Sequence, residues 1–105
     1  MSDERNKQLN RFLGAAFRLR RLSVGMPADR VAAETGKSTA QVYRLETGQS
    51  WRLTDWIAMC EALGYDPDRA ARELAETMRL FRLGHRAPSP EAFGTVLPPE
   101  TVGAT

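Results

Sequence analysis

Cysteine and histidine are almost missing from this chain of 105 residues, where Cys60 and His85 each stand alone. A single thiol permits no internal disulfide, and one cysteine with one distant histidine makes neither a zinc ligand set nor a Cys-His nucleophilic pair. No metal, cofactor or catalytic machinery is expected. Long apolar runs are missing as well: none approaches the ~18 residues of a membrane span. The opening stretch MSDERNKQLNR is charged and lacks the apolar core of a secretory signal. The expectation is a soluble cytoplasmic, nucleoid-associated protein without membrane contact. Gly36-Lys37-Ser38-Thr39 has the look of the end of a phosphate-binding loop. The first glycine of that motif would fall at Val31, however, and no strand precedes it, so nucleotide binding is set aside.

What is present is one small domain's worth of chain, able to bury roughly two-thirds of its unfolded surface at best. The net charge of +2 is unevenly spread. Residues 1–52 carry ten Lys/Arg against five Asp/Glu, net +5, and residues 53–105 carry five against eight, net −3. Such asymmetry points to an anionic partner for the amino-terminal half, although an ordinary solvated surface could show the same charges.

Read in order, residues 1–7 are polar and expected as a flexible arm. From Gln8 to near Gly25, Leu9, Leu13, Ala16, Phe17 and Val24 fall at helical spacing. Pro27 suits the first turn of a second helix and Asp29 its positive end. Gly36 can take the left-handed conformation that stops it. Ser38, followed three positions later by Gln41, forms a reciprocal cap for a third helix over about 39–46, with Val42 and Leu45 inward, closed by Gly48. A fourth helix covers roughly 53–63, with Trp56, Met59, Cys60 and Leu63 on its apolar side. Asp66 caps a fifth, expected over 66–85, with Pro67 at its first position and Ala70, Leu74, Met78 and Phe81 as its stripe. Beyond it lie four of the six prolines, at 88, 90, 98 and 99, and residues 86–105 are expected as an extended tail. Phe93, Val96 and Leu97 are the apolar residues by which that tail could be held.

Several of these residues stand in one register. Leu13-Gly14 opens the first helix and Arg21 lies near its end. Ala32, Gly36 and Val42 cross the hairpin, Glu46 and Gly48 close it, and Trp56, Met59, Cys60 and Leu63-Gly64 follow. The run from Leu13 to Tyr65 thereby resembles the lambda-repressor-like, Cro-type (XRE) helix-turn-helix regulators of bacteria and phages. The resemblance implies an all-α, five-helix DNA-binding domain with an extended Pro-rich tail, the helix-turn-helix unit occupying residues 8–65, and double-stranded DNA as partner.

It further implies that the third helix enters the major groove. The base-contacting candidates are Ser38, Thr39, Ala40, Tyr43 and Arg44, of which Arg44 can bond guanine O6 and N7 together and Ala40 can touch a thymine methyl. Tyr43 could equally pack on the sugar-phosphate or in the core. Lys37, Gln49, Ser50 and Arg52 are the phosphate candidates, the alternative for Lys37 and Arg52 being plain surface charge. Arg21 and Glu46 are implied to form a partly buried ion pair. One departure stands out: the family's Ser/Thr-Gln at the start of the second helix is replaced by Pro27-Ala28. A phosphate contact is thereby lost unless Trp51 or basic residues of the amino-terminal arm supply it. Arg20 stands where an apolar residue is common, its stem expected to cover the core edge.

One recognition helix reads few base pairs, so a homodimer on two half-sites is expected. Leu74, Met78 and Phe81 are its candidate contacts, with packing inside the same chain as the alternative. The functional expectation is a transcriptional regulator, in the first place a repressor. The alternatives are an activator touching RNA polymerase through residues 66–105, or the antitoxin of a toxin pair.

Overall fold

Five α-helices make up residues 2–82, the part of the chain that the computed structural model describes: α1 Ser2–Val24, α2 Ala28–Thr35, α3 Thr39–Glu46, α4 Leu53–Ala62 and α5 Pro67–Arg82. No strand occurs among the described residues. The all-α class and the five helices are those the resemblance implies. The expected tail at 86–105, with Phe93, Val96 and Leu97, and the helix end near His85 lie outside the described residues.

The arm expected at residues 1–7 is instead helical from Ser2 onward, continuous with the rest of α1. Polarity alone does not stop a helix. No glycine or proline interrupts residues 2–13, and once the buried stripe has nucleated the helix, each added turn costs little. Glu4 and Arg11 face each other across that extension at 3.8 Å. The inward stripe of α1 is Phe12, Leu13, Ala16 and Phe17, and the helix ends at Gly25, whose φ of +73° suits only glycine well.

Gly14 lies mid-helix rather than at an opening, and its missing side chain is what lets α3 approach. A Cβ there would collide with the carbonyl oxygen of Leu45 and lie 2.6 Å from that of Glu46. Gly14→Ala adds a better helix former, worth up to about 1 kcal/mol, yet overpacking against backbone costs about 1–3 kcal/mol. The variant is expected to unfold at lower urea concentration than the wild type. A raised midpoint would mean that α1 and α3 have room to separate.

Trp56 lies at the centre of the core with Phe17, Val31, Val42, Met59 and Cys60, all of them buried. Its indole nitrogen donates to the Ala70 carbonyl at 3.0 Å, fastening α4 to α5. Trp51, expected as a spare DNA contact, belongs to this core instead. Its ring meets Phe17 and Trp56 at centroid distances of 5.7 and 5.5 Å. Its indole nitrogen donates to the Leu45 carbonyl, and its backbone N–H donates to Asn10 Oδ1, both at 3.0 Å. An indole N–H so engaged is not free to donate to a nucleic acid.

Arg20 does not cover the core edge with its stem: the whole side chain is 0% exposed, and its guanidinium donates to Glu73 Oε1 of α5 at 2.9 Å. Leu74, taken as a dimer contact, is only 4% exposed within the core, and Phe81 rests on Phe12 at a centroid distance of 5.8 Å. The apolar face of α5 therefore covers α1 and α4 of its own chain. Of the three candidates, Met78 alone remains exposed, at 40%. Asp66 caps the helix as expected, accepting from the backbone N–H of Arg69 at 3.0 Å.

Candidate nucleic-acid interface

The hairpin α2–α3 is built from local chemistry. Pro27 precedes α2 as its cap residue, in an extended conformation, rather than occupying the first turn, and Ala28 behind it is buried. A buried methyl cannot reach a phosphate, so the Ser/Thr-Gln pair of the resemblance has no equivalent here. Gly36, at φ +72°, closes α2 in the left-handed region, and Lys37 N–H donates back to the Ala32 carbonyl at 3.0 Å. Ser38 Oγ then accepts from Gln41 N–H at 3.1 Å while Gln41 Oε1 accepts from Ser38 N–H at 2.7 Å. This reciprocal cap starts α3 at a defined residue. Buried Ala32 and Val42 lie on the two helices of the hairpin.

At its far end α3 is held by the Arg21–Glu46 pair. Arg21 Nε donates to Glu46 Oε2 at 2.6 Å and Nη2 to Oε1 at 3.1 Å, with both residues buried. A third bond runs from Arg21 Nη1 to the Met26 carbonyl at 3.2 Å, so one guanidinium joins the end of α1, the turn after it and the end of α3. The hydrogen bond to Glu46 holds the guanidinium above the ordinary arginine pKa, against the opposing effect of burial.

Between these two fastenings α3 turns Ala40, Gln41, Tyr43 and Arg44 outward, with Thr39 half-buried and Ser38 exposed beside them. Tyr43 is not a core residue: it is 50% exposed, its ring 5.9 Å from the Arg21 guanidinium carbon. The Arg44 guanidinium forms no ion pair among the described residues. All five base-contact candidates thus lie on one short, doubly anchored helix or at its cap.

The phosphate candidates gather at a groove of about 330 Å³ lined by Lys37, Gln41, Leu45, Gln49, Ser50, Arg52 and Asp55. Gln49, Ser50 and Arg52 are exposed. The Gln49 backbone N–H, however, is already used, donating to the Arg44 carbonyl at 3.0 Å, which leaves its side chain as the possible donor. Lys37 is engaged too, with its ammonium 2.7 Å from Asp55 Oδ1. Asp55 is the residue of this groove that sequence reasoning passed over. Its only signal is the spacing three after Arg52, whose N–H it accepts at 3.3 Å.

Cys60 offers no chemistry. Burial pushes its thiol up to about 12, although Arg20 beside it pulls the other way, so at neutral pH it carries its proton and cannot act as a nucleophile. Among the described residues no three His, Cys, Asp or Glu side chains are placed to hold a metal ion, and no helix is long and apolar enough to cross a membrane.

A family model described as "Helix-turn-helix domain" matches residues 13–73, more than half of the chain. The matched span begins at the buried stripe of α1 and runs through both anchored ends of α3 to Glu73, the partner of Arg20. Comparison with curated proteins gives no match, and comparison with solved structures gives none either.

Proposed function

Because the chain belongs to the helix-turn-helix domain family, whose members bind DNA, we propose that it is a sequence-specific transcriptional regulator that lays α3 in the major groove and represses by occluding a promoter. The observation that carries this reading is the fastening of α3 at both ends. Base edges are distinguished by donors and acceptors in fixed positions, so a reading helix must hold its side chains to fractions of an ångström. The Ser38/Gln41 cap fixes one end, Arg21–Glu46 the other, and the exposed face between them carries Ala40, Tyr43 and Arg44. Arg44 is assigned a bidentate contact to guanine, Ser38, Thr39, Ala40 and Tyr43 the neighbouring base edges, and Gln49, Ser50 and Arg52 the phosphates.

A second copy on a second half-site about 34 Å away would multiply the discrimination of one short helix. With Leu74 buried in its own core and Phe81 half-buried against Phe12, Met78 is the exposed part of the proposed contact. The activator and antitoxin alternatives rest on α5 and the residues beyond it, and no observation there favours them over occlusion.

Genome-wide occupancy mapping of wild type and Arg44→Ala tests the reading. Loss of a bidentate guanine contact costs roughly 1–3 kcal/mol of preference, so the variant is expected to leave most wild-type sites or to bind them with one position relaxed. Identical occupancy for both would remove Arg44 from the reading face.

A further inference from the structure

We propose that Asp55 is a built-in competitor for the DNA backbone: in the free protein its carboxylate occupies donors that a phosphate would take, and so it limits how tightly the chain holds DNA. The inference rests on the DNA-binding reading above. Two donors from different elements converge on this one group. Lys37, in the turn before α3, gives its ammonium to Oδ1 at 2.7 Å, and Arg52, at the start of α4, gives its backbone N–H to Oδ2 at 3.3 Å. A cation and a main-chain N–H meeting two oxygens of one anion is the arrangement by which proteins hold phosphate oxygens.

The surroundings sharpen the competition. Asp55 is the one acidic residue among the described residues that line this groove, beside Lys37, Gln41, Gln49, Ser50 and Arg52. The two side chains of the pair are only 20% and 18% exposed, so water and salt screen them less than an open surface pair. A phosphate entering the groove must either draw Lys37 away and lie beside an uncompensated carboxylate, or do without Lys37, and both weaken binding. The positive charge that the sequence places in this half of the chain is thus partly cancelled at the site where it would be used.

Asp55→Asn separates this role from a structural one. Asparagine keeps an oxygen for the Arg52 N–H, hence the start of α4, while the charge that holds Lys37 is gone. Binding of the full chain to a fluorescein-labelled duplex of mixed sequence, followed by anisotropy between 50 and 200 mM KCl, needs no knowledge of the operator. One additional phosphate contact steepens the slope of log K against log salt by about 0.9. The variant is therefore expected to bind on the order of tenfold tighter at about 50 mM salt, a gain falling to about a third of that at 200 mM. Lys37→Ala should abolish the gain in the Asp55→Asn background, and in the wild-type background it should weaken binding, because it leaves the Asp55 carboxylate uncompensated beside the phosphate. Asp55→Ser, which also keeps an acceptor, repeats the test should the asparagine variant fold poorly.

Unchanged affinity and slope in Asp55→Asn would leave Asp55 as a helix cap only. Weaker binding would make it a residue that positions Lys37 for DNA. Either result overturns the inference while leaving the DNA-binding reading intact. Failure of wild type and variants alike to bind duplex at 50 mM salt would overturn that reading and this inference with it.

Discussion

Glu73→Ala is expected to cost about 3–5 kcal/mol of folding stability, the range seen when one partner of a buried ion pair is removed. Arg20 is wholly enclosed, its guanidinium carbon 4.3 Å from the centre of the Tyr65 ring and 5.4 Å from that of Trp56, with Nη1 3.6 Å from Cys60 Sγ. Glu73 carries a balancing charge at hydrogen-bond distance, 2.9 Å. The two aromatic faces, each worth about 2 kcal/mol or more to a desolvated cation, are already present in the wild type and so do not offset the lost carboxylate. The variant keeps the buried charge and loses the carboxylate 2.9 Å from it. Urea titration followed by tryptophan fluorescence should show the loss. A control distinguishes stranded charge from lost packing: Arg20→Met with Glu73→Leu removes both charges and is expected to be neutral or up to about 4 kcal/mol more stable than wild type. Should Glu73→Ala lose less than about 1 kcal/mol, Arg20 is solvated in a way its burial does not indicate.

This pair also marks where sequence reading ran out. The helices themselves were legible because their signals are local: Gly25 and Gly36 stop α1 and α2, Ser38 with Gln41 starts α3, and Asp66-Pro67 starts α5. Each acts within a few residues and needs no knowledge of what lies across the core. Arg20 falls on the inward stripe of α1, but the residue that makes its burial tolerable is 53 positions away, and no local rule joins them. Lys37 is likewise an ordinary surface lysine until Asp55, 18 positions on, is placed beside it. The stripe of α5 was visible, but a stripe does not say whose core it covers. Leu74 and Phe81 cover that of their own chain, the latter by meeting Phe12 on α1. The outward face of α3 was legible for the opposite reason. It is what remains outward once Val42 and Leu45 are turned in, and α3 is too short to offer another choice.

The same physics applied to Glu46 has a consequence for recognition as well as for stability. Glu46→Ala strands Arg21 beneath the end of α3, and the expected loss is again within about 3–5 kcal/mol. It should lie toward the lower end, because Arg21 retains its bond to the Met26 carbonyl and the Tyr43 ring nearby. Glu46→Gln, which keeps an acceptor but not the charge, should lose less. What α3 loses is its carboxy-terminal fastening: the close approach at Gly14 still seats the backbone of Leu45 and Glu46 on α1, but the ion pair that limits rotation of the helix on that seat is gone. Tyr43 and Arg44, one turn or less from Glu46, are the proposed reading residues that such rotation displaces most. The phosphate contacts proposed at Gln49, Ser50 and Arg52 tolerate it better, since charge attraction falls off gradually with distance while a bidentate bond to a base does not. At a temperature where Glu46→Ala remains folded, its affinity for mixed-sequence duplex should therefore stay within a few-fold of wild type, and its preference for the wild type's sites should fall by about tenfold or more, the equivalent of one lost base contact. Retained preference in a folded Glu46→Ala protein would show that the Ser38/Gln41 cap and the Gly14 seat are enough to aim the helix, and that Arg21–Glu46 serves stability alone.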